Sequence, residues 1–171
     1  MSQAFVSVGS NIEPEENVSR AIKLLARQVS ITGLSTVYIT EPVGRPEQAP
    51  YYNCVVEIDT PLAPLELKNT VLRRIEGELG RVRGEDKFAP RAIDLDLILY
   101  GDVVMKTGDL VLPDPEIRNR PFLAGPLFEL APNLIMPDSK EPVSVIASHM
   151  RDSGMTPLLA YTNRLLRELK T

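Results

Sequence analysis

The order in which hydrophobic periodicity changes along the chain constrains its fold more than any other feature. Alternation of apolar and polar residues predicts strands, whereas recurrence every three or four residues predicts helices. The successive segments are strand-like 4–8, helical 14–29, strand-like 35–40 and 53–59, a helical stripe from Pro64 to Leu79 closed by Gly80, and strand-like 93–99. With this order of strand, helix, strand, strand, helix and strand, both helices are expected to cover one face of one sheet.

We therefore expect the fold class α+β, with a ferredoxin-like βαββαβ core arranged as a two-layer sandwich in a single domain, 1–171. Additional elements follow this core. Residues 101–102 predict a hairpin turn ahead of 103–105, and 122–130 predict a short helix ended by a proline. The leucine-rich stretch 158–169 predicts a C-terminal amphipathic helix that packs on the body of the protein or on a partner.

Charge and composition narrow the classes of function. The chain has 19 Lys and Arg against 23 Asp and Glu, a net charge of -4, so no global positive field attracts nucleic acid or an anionic membrane. The single cysteine, Cys54, and the single histidine, His149, favour neither a disulfide nor a zinc site. Because no targeting signal or long apolar run is visible, we expect a cytoplasmic protein without a membrane partner. From the negative charge we expect no nucleic-acid partner, and we expect a monomer.

The segment between the second helix and the last strand carries the strongest chemical signal. It is a basic loop containing Arg81, Arg83, Lys87 and Arg91, followed directly by Asp94 and Asp96. Because side chains alternate along a strand, the two aspartates are expected on one face, about 7 Å apart at their Cα atoms. The alternate residues, expected to enter the core, are Ile93, Leu95, Leu97 and Leu99.

This combination of acids and cations suits a nucleotide site. Magnesium prefers oxygen ligands and is commonly shared between one or two carboxylates and substrate phosphates. Arginine side chains suit bidentate contacts to phosphate. Two aspartates on an exposed strand are also ordinary surface residues, so a solvated acidic face stays an alternative. The metal interpretation is favoured by the preceding cations and by Pro90, which directs the chain into the strand.

The residues that surround this segment resemble those of the 6-hydroxymethyl-7,8-dihydropterin pyrophosphokinase family. The family signature has its counterpart in the run from Lys87 to Ile98, which includes Arg91, Asp94 and Asp96. Further ordered matches are VGSN at 8–11, TEPVG at 40–44, YYN at 51–53, RNRPF at 118–122 and PLFELAP at 126–132. The resemblance extends over about residues 4–150, and the tail 151–171 lies outside it.

This resemblance implies transfer of pyrophosphate from ATP to 6-hydroxymethyl-7,8-dihydropterin in folate biosynthesis, with two Mg²⁺ ions. It implies that Asp94 and Asp96 are metal ligands and that they act with Arg81 and Arg91 in catalysis. The implied nucleotide contacts are Glu76, Arg81, Arg83, Lys87, Arg91, Ile98 and Arg120. The implied pterin contacts are Thr40, Val43, Tyr51, Asn53 and Phe122, with the aromatic pair sandwiching the flat ring.

The chain departs from the family pattern at Asp114. Pro113-Asp114-Pro115 stands where the family usually has a histidine after the first proline. Because a carboxylate repels phosphate, we expect Asp114 to turn away from the nucleotide or to reach it only through a cation or water. Milder departures are Phe88, where tryptophan is often found, and Lys87, where arginine is common.

Simpler interpretations exist for several of these residues. If the resemblance is left aside, Tyr51 is interpreted as the start of a strand and Asn53 as a hydrogen-bonding partner for loop backbone. Phe122 is interpreted as the core anchor of its helix, and 9–11 as a turn with no catalytic role. The alternative function is a non-catalytic ferredoxin-like module that binds a small ligand and regulates a partner, without any magnesium requirement. An RNA-binding domain is disfavoured by the negative charge and by the lack of an aromatic and basic RNP pattern.

Overall fold

A computed structural model describes residues 1–42, 44–81, 84, 86, 88–150 and 154–171. The elements of the first half are β1 (Ser2–Ser10), α1 (Pro14–Ala26), β2 (Ser30–Leu34), β3 (Tyr38–Thr40), β4 (Tyr51–Thr60), α2 (Pro64–Glu66), a π-helical stretch (Leu67–Leu72) and α3 (Arg73–Glu78). Those of the second half are β5 (Asp94–Tyr100), β6 (Met105–Lys106), β7 (Val111–Leu112), a 3₁₀ helix (Pro115–Arg118), α4 (Pro121–Leu130), α5 (Val143–Ser148), β8 (Thr156–Pro157) and α6 (Leu159–Leu169). Within these described ranges, no helix is long and apolar enough to cross a membrane.

The main sheet has the strand order β5-β1-β4-β3-β8, with β2 also paired to β4. Its strand pairs are antiparallel. Helix α1 connects the first strand to β2, and the continuous helical segment from α2 to α3 connects β4 to β5. This is the ferredoxin-like α+β arrangement that the order of periodicities predicts.

The face of the sheet beneath these helices is a continuous apolar layer, which we call the first core. Helix α1 begins with Pro14 at a position where its fixed φ suits the first turn, and its apolar stripe, which includes Ile22 and Leu25, is buried. The helix ends at Ala26 rather than at residue 29. The first core also contains alternate residues of the strands and the buried side chains of α6, including Tyr161 and Leu165.

Helices α4 and α5 cover part of the opposite face, so these two helices form a third layer beyond the predicted two. They pack over Phe5, Val55 and Leu99 to form the second core. This explains why Val55, between inward-facing residues of β4, is itself fully buried. A strand that is covered on both faces loses the simple alternation of apolar and polar residues.

A β-bulge in β5 changes the expected direction of Leu99. Phe5 pairs with Leu99 and Val6 pairs with Leu97, so Ile98 is an extra residue in the ladder. As a result, Ile98 and Leu99 both lie in the second core. Leu99 is therefore buried as predicted, but it lies in the second core, whereas Ile93, Leu95 and Leu97 lie in the first.

Two local predictions also differ from the structure. Of the expected strand 35–40 only 38–40 forms a strand, β3, and it is preceded by β2 at 30–34. Between them the Ser35 hydroxyl accepts a hydrogen bond from the Val55 N–H at 2.9 Å. A side chain thus replaces a regular ladder partner at that point. Residues 101–102 do form a turn, but the following hairpin is made by β6 and β7 in a separate sheet.

Candidate active site

The second face of the sheet is open where the layer of α4 and α5 ends, and a cavity of about 470 Å³ lies there. Its described lining residues are Ser7, Gly9, Thr40, Glu41, Pro42, Gln48, Tyr51, Asn53, Phe88, Arg91, Asp94, Asp96, Asp114, Glu116, Arg120, Phe122 and Leu123. Along β1, the residues on this face change from the apolar Phe5 to Ser7 and Gly9. The same face is therefore core at one end and binding surface at the other.

Strand register brings polar side chains from separate parts of the chain together. Gly9 pairs with Asn53 on one side and with Asp94 on the other. A Cβ at Gly9 would lie 2.6 Å from Oδ1 of Asn53, so only glycine leaves room for this amide. The Asn53 amide also donates to Oγ1 of Thr40 at 2.6 Å, which fixes its direction. These contacts hold Asn53 as a preset hydrogen-bonding group in the cavity wall.

Aromatic side chains form the apolar part of the cavity. Tyr51 and Phe122, from β4 and the first turn of α4, lie in its lining, and Phe88 from the basic loop joins them. Burial is the main cause of a raised pKa at Tyr51, so this side chain is neutral at physiological pH. Aromatic surface together with an amide is suited to a flat molecule that has a polar edge.

Asp94 lies between two guanidinium groups. Its Oδ1 accepts from Nη1 of Arg81 and its Oδ2 from Nη1 of Arg91, each at 2.6 Å. Arg81 also contacts Glu76, a carboxylate that is only 2% exposed and that accepts from the Leu95 N–H at 3.0 Å. Buried charges require such compensation, so the network fixes the start of β5 and the direction of its carboxylates.

Asp96 has a different environment. Asp96 pairs with Ser7 of the neighbouring strand β1. Its side chain is exposed to the cavity, although protein atoms surround it on most sides. Reduced contact with bulk water, followed by repulsion from Asp94, Glu76 and Asp114, raises the pKa of Asp96 to about 7, against the lowering effect of Arg81. A cation close to Asp96 would therefore stabilise its ionised carboxylate.

A second cavity, of about 300 Å³, lies at the outer edge of β5. Lys68 and Arg73 supply positive charge on the helical side. The two cavities have Asp96 and Asp114 in common, so they meet around the edge of the strand. Leu97 lines the second cavity as well.

Asp114 caps the 3₁₀ helix. Its Oδ1 accepts from the Glu116 N–H at 2.9 Å, and its own N–H donates to the carbonyl of Ile98 at 2.9 Å. Burial is the main cause of its raised pKa. At least one carboxylate oxygen is therefore engaged with protein backbone, while the residue also lines both cavities.

Asn11 joins the two loops beside the cavity. Its Oδ1 accepts from the Arg91 N–H at 2.7 Å, and its amide donates to Oε1 of Gln48 and to the Ala49 carbonyl, each at 3.3 Å. Gln48 in turn donates to the Phe88 carbonyl at 2.8 Å. The described residues of the loop between β3 and β4 thus contact those of the basic loop at the cavity rim.

The structure brings most of the predicted site residues together. Those lining the first cavity are Thr40, Tyr51, Asn53, Arg91, Asp94, Asp96, Arg120 and Phe122. Arg81 and Glu76 hold Asp94 and the adjoining backbone. The predicted contacts Val43, Arg83 and Lys87 lie outside the described residues.

Ile98 does not belong with this group. Its side chain is 0% exposed in the second core, so the predicted nucleotide contact would have to come from its backbone. The neighbouring Leu97 lines the second cavity instead.

The sequence alone indicates no role for Gly9 or Asn11. A glycine within a strand is a signal of close approach, but the partner of Gly9 becomes visible only with the strand register.

Comparisons with known proteins show which proteins the chain is similar to. A family model described as 7,8-dihydro-6-hydroxymethylpterin-pyrophosphokinase matches residues 5–132. The chain is 38% identical over 156 residues to the 2-amino-4-hydroxy-6-hydroxymethyldihydropteridine pyrophosphokinase of Haemophilus influenzae, which covers 87% of this chain and 96% of that protein. It is 34% identical over 151 residues to the protein of the same name from Pseudomonas aeruginosa, covering 86% of this chain and 92% of that protein.

A solved structure of wild-type Plasmodium falciparum HPPK-DHPS shares the fold. It has a TM-score of 0.69 and 12% sequence identity, and the match covers 90% of this chain and 46% of that one. This chain therefore spans about half the length of the solved protein. At this low identity the similarity concerns the fold alone.

Proposed function

The chain belongs to the 7,8-dihydro-6-hydroxymethylpterin-pyrophosphokinase family, and we propose that the two joined cavities are where its two substrates meet. The protein transfers pyrophosphate from ATP to 6-hydroxymethyl-7,8-dihydropterin in folate biosynthesis, giving the pterin diphosphate and AMP. The observation that carries the proposal for the site is the meeting of two chemically different cavities at Asp96 and Asp114. Transfer between two bound molecules requires such a junction, because the reacting atoms must lie adjacent.

In this proposal the first cavity binds the pterin. The faces of Tyr51 and Phe122 stack on the flat ring, and Asn53, held by Thr40, reads its polar edge. A volume of about 470 Å³ falls within the range typical of small-molecule sites. The absent side chain at Gly9 makes this arrangement possible, because any Cβ would displace Asn53.

The second cavity binds the nucleotide. Lys68 and Arg73 lie at its wall, and Arg91 and Arg120 line the first cavity beyond the junction. A triphosphate that extends from the second cavity past Asp96 therefore passes between positive side chains. Such contacts position the phosphates and stabilise the charge that develops during transfer.

The donor set at the junction fits Mg²⁺. Among the described residues, no group of three His, Cys, Asp or Glu side chains is placed to hold a metal ion unaided. Asp94 and Asp96 would instead hold Mg²⁺ together with ATP phosphate oxygens, as this ion is commonly bound. Asp96, which has no ion pair within the described chain, supports this assignment because a cation would neutralise it. Two bound Mg²⁺ ions would supply charge neutralisation at the triphosphate.

The reaction is an in-line displacement. The hydroxymethyl oxygen of the pterin forms a bond to the β-phosphorus of ATP, the bond from that phosphorus to the α,β-bridging oxygen breaks, and AMP leaves with this oxygen. The hydroxyl proton passes to solvent. Arg81 and Arg91 hold Asp94 from both sides, so the junction keeps its geometry as charge moves. The contact between Gln48 and Phe88 at the cavity rim would limit entry of water that hydrolyses ATP.

An assay for AMP release tests the function directly. Purified protein is incubated with ATP, Mg²⁺ and hydroxymethyldihydropterin, and AMP and pterin diphosphate are measured by liquid chromatography. We expect both products in equal amounts, and neither when the pterin or Mg²⁺ is omitted. A small-molecule-binding regulatory module would bind the pterin but release no AMP, and this outcome would overturn the proposed function.

A further inference from the structure

We propose that the C-terminal segment 154–171 positions the pterin half of the active site, an inference that rests on the function proposed above. The match of the family model ends at residue 132, before this segment begins. The segment contains β8 and α6. No described residue of it lines the first cavity, yet it contacts three elements that carry residues of the cavity lining. It would therefore act through other residues rather than by touching substrate.

The first contact is with β3. Tyr38 pairs with Pro157, and the Leu158 N–H donates to the Val37 carbonyl at 2.8 Å. The strand β3 is short, and without β8 its outer edge would have unpaired backbone groups. Thr40, the last residue of β3, is part of the cavity lining. The tail thus fixes the strand that carries a predicted pterin contact.

Thr162 of α6 makes the most specific of these contacts. Its hydroxyl accepts from the Val37 N–H at 2.9 Å and donates to the Leu158 carbonyl at 2.8 Å. Val37 is 0% exposed and Thr162 only 6%, so water cannot easily replace this hydroxyl. Loss of it would leave a buried N–H without its partner, which is costly.

The second contact is with the back of β4. The rings of Tyr161 and Tyr52 meet edge to face, with their centroids 5.6 Å apart. Tyr52 lies between Tyr51 and Asn53, both of which line the cavity. Because neighbouring residues of a strand point to opposite faces, α6 supports this part of β4 from the side opposite the cavity.

The third contact is with α4. The terminal carbon of Met155 lies 3.2 Å from the position that a Cβ would occupy at Gly125. Gly125 is about one helical turn beyond Phe122, the aromatic residue that α4 contributes to the cavity. The tail therefore contacts the three elements that carry Thr40, Tyr51, Asn53 and Phe122.

The contacts of the tail with β3 affect Asn53 indirectly, because Thr40 of β3 holds the Asn53 side chain. The Asn53 amide donates to Oγ1 of Thr40 at 2.6 Å, so displacement of β3 would release the amide from its fixed direction. The nucleotide cavity lies at β5, which forms the edge of the sheet opposite to β3 and β8. Disturbing the tail should accordingly weaken pterin binding while leaving ATP binding unchanged.

The test compares three single substitutions in α6. Thr162→Val removes the hydroxyl at nearly constant volume, and Thr162→Ser keeps it. Glu168→Gln is the matched control, because Glu168 contacts Lys23 at 3.1 Å and Ser19 at 3.2 Å on α1, away from β3. Pterin Kd is measured by fluorescence titration, ATP KM by AMP release, and Tm by thermal unfolding.

We expect Thr162→Val to raise the pterin Kd about tenfold with ATP KM unchanged, as for loss of one buried hydrogen bond. Thr162→Ser should bind pterin as the wild type does, and Glu168→Gln should leave both constants unchanged. The inference is overturned if Thr162→Val lowers Tm but retains wild-type pterin affinity. Wild-type protein that binds pterin without releasing AMP would overturn the proposed catalysis alone, and absence of pterin binding would overturn both.

Discussion

The two faces of the main sheet show how one strand set can serve stability and chemistry at once. The face beneath α1 and α3 is apolar along its whole length and forms the first core. The other face is apolar where α4 and α5 cover it, but has Ser7, Gly9 and Asp96 where that cover ends. The site therefore lies in a gap in the second helical layer rather than on a separate domain.

The contrast is also electrostatic. The first core is made of apolar side chains, whereas the open face concentrates Asp94, Asp96 and Asp114 around a few arginines. Repulsion among these acids is part of why the pKa of Asp96 is raised to about 7. Charge placed this way costs stability in the protein alone and becomes useful when phosphates and cations bind. Substitutions on the two faces should accordingly separate activity from stability.

The largest effect is expected from Asp96→Asn on the open face. Loss of the carboxylate should lower AMP formation on the order of 10³-fold, because positioning and charge stabilisation at the phosphates would fail. The free energy of unfolding should be equal to or higher than that of the wild type, since a repelled charge is removed. Steady-state kinetics and urea unfolding measure the two quantities.

Asp59→Asn is the control, as Asp59 lies on β4 outside both cavities. It should leave turnover unchanged. Near-normal turnover in Asp96→Asn would exclude the proposed role of this carboxylate.

The first core should give the opposite result. Leu72→Ala removes a fully buried side chain and should lower the free energy of unfolding by about 3 kcal/mol through lost burial and a residual cavity. Turnover per folded molecule should be unchanged. The matched control is Leu65→Ala in the same helical segment, where the side chain is exposed and the loss of stability should be small. Equal destabilisation by both would contradict the assignment of this core.

Gly9→Ala tests the close approach across β1 and β4. The new Cβ must displace Asn53, so the pterin Kd should rise about tenfold, in line with a lost hydrogen-bonding group. Fluorescence titration measures this change. Gly108→Ala serves as the control, because no atom lies within 4 Å of a Cβ there. Unchanged pterin affinity in Gly9→Ala would mean that Asn53 does not contact the pterin.

A smaller effect is expected at Asp114. Asp114→Ala removes the cap of the 3₁₀ helix and should lower the free energy of unfolding by about 1 kcal/mol, whereas Asp114→Asn keeps an acceptor for the Glu116 N–H. ATP affinity should change little in either variant, and Asp114→His should keep or modestly improve it. Calorimetry with ATP and Mg²⁺ measures the affinities. A large loss of ATP binding in Asp114→Ala would show that this carboxylate has its own role at the nucleotide.

The smallest effect concerns pH, because water in the cavity screens Asp96. The pKa of Asp96 is about 7 in the folded protein, against about 3.9 for an unfolded aspartate. Between these values the folded state holds a proton that the unfolded chain has lost. The contribution to stability is therefore full below the unfolded value and disappears as pH rises through 7. Thermal unfolding without Mg²⁺ should show this decrease in wild type, and Asp96→Asn should lack it.

The sequence predicts the elements that cover the first core better than those that cover the other face of the sheet. The sequence periods identify α1 and the helical segment from Pro64 because each helix buries one continuous stripe in the first core. The break at Ser35 was missed because its hydroxyl bonds to a strand distant in sequence. The third layer was not foreseen because the periodicity of α4 does not reveal which face of the sheet it covers.

Residues of the candidate site could be predicted from the sequence where they belong to a recognisable motif. Asp94 and Asp96 follow from their spacing and from the preceding cations, and Tyr51 and Phe122 from the family resemblance. The importance of Gly9 was not predictable, because it depends on Asn53 lying directly across the ladder. Such relations are set by register, which no local pattern specifies.

The extra residue in β5 has a consequence for how this strand can vary in length during evolution. The pairs of Asp94 with Gly9 and of Asp96 with Ser7 lie entirely on one side of Ile98. A one-residue deletion at Ile98 would therefore leave these carboxylates in register, and its effects would fall on the second core and on the backbone contact with Asp114. A deletion between the basic loop and Asp94 would instead alter the approach to both carboxylates. Gaps in related sequences should therefore be tolerated at Ile98 and rare ahead of Asp94.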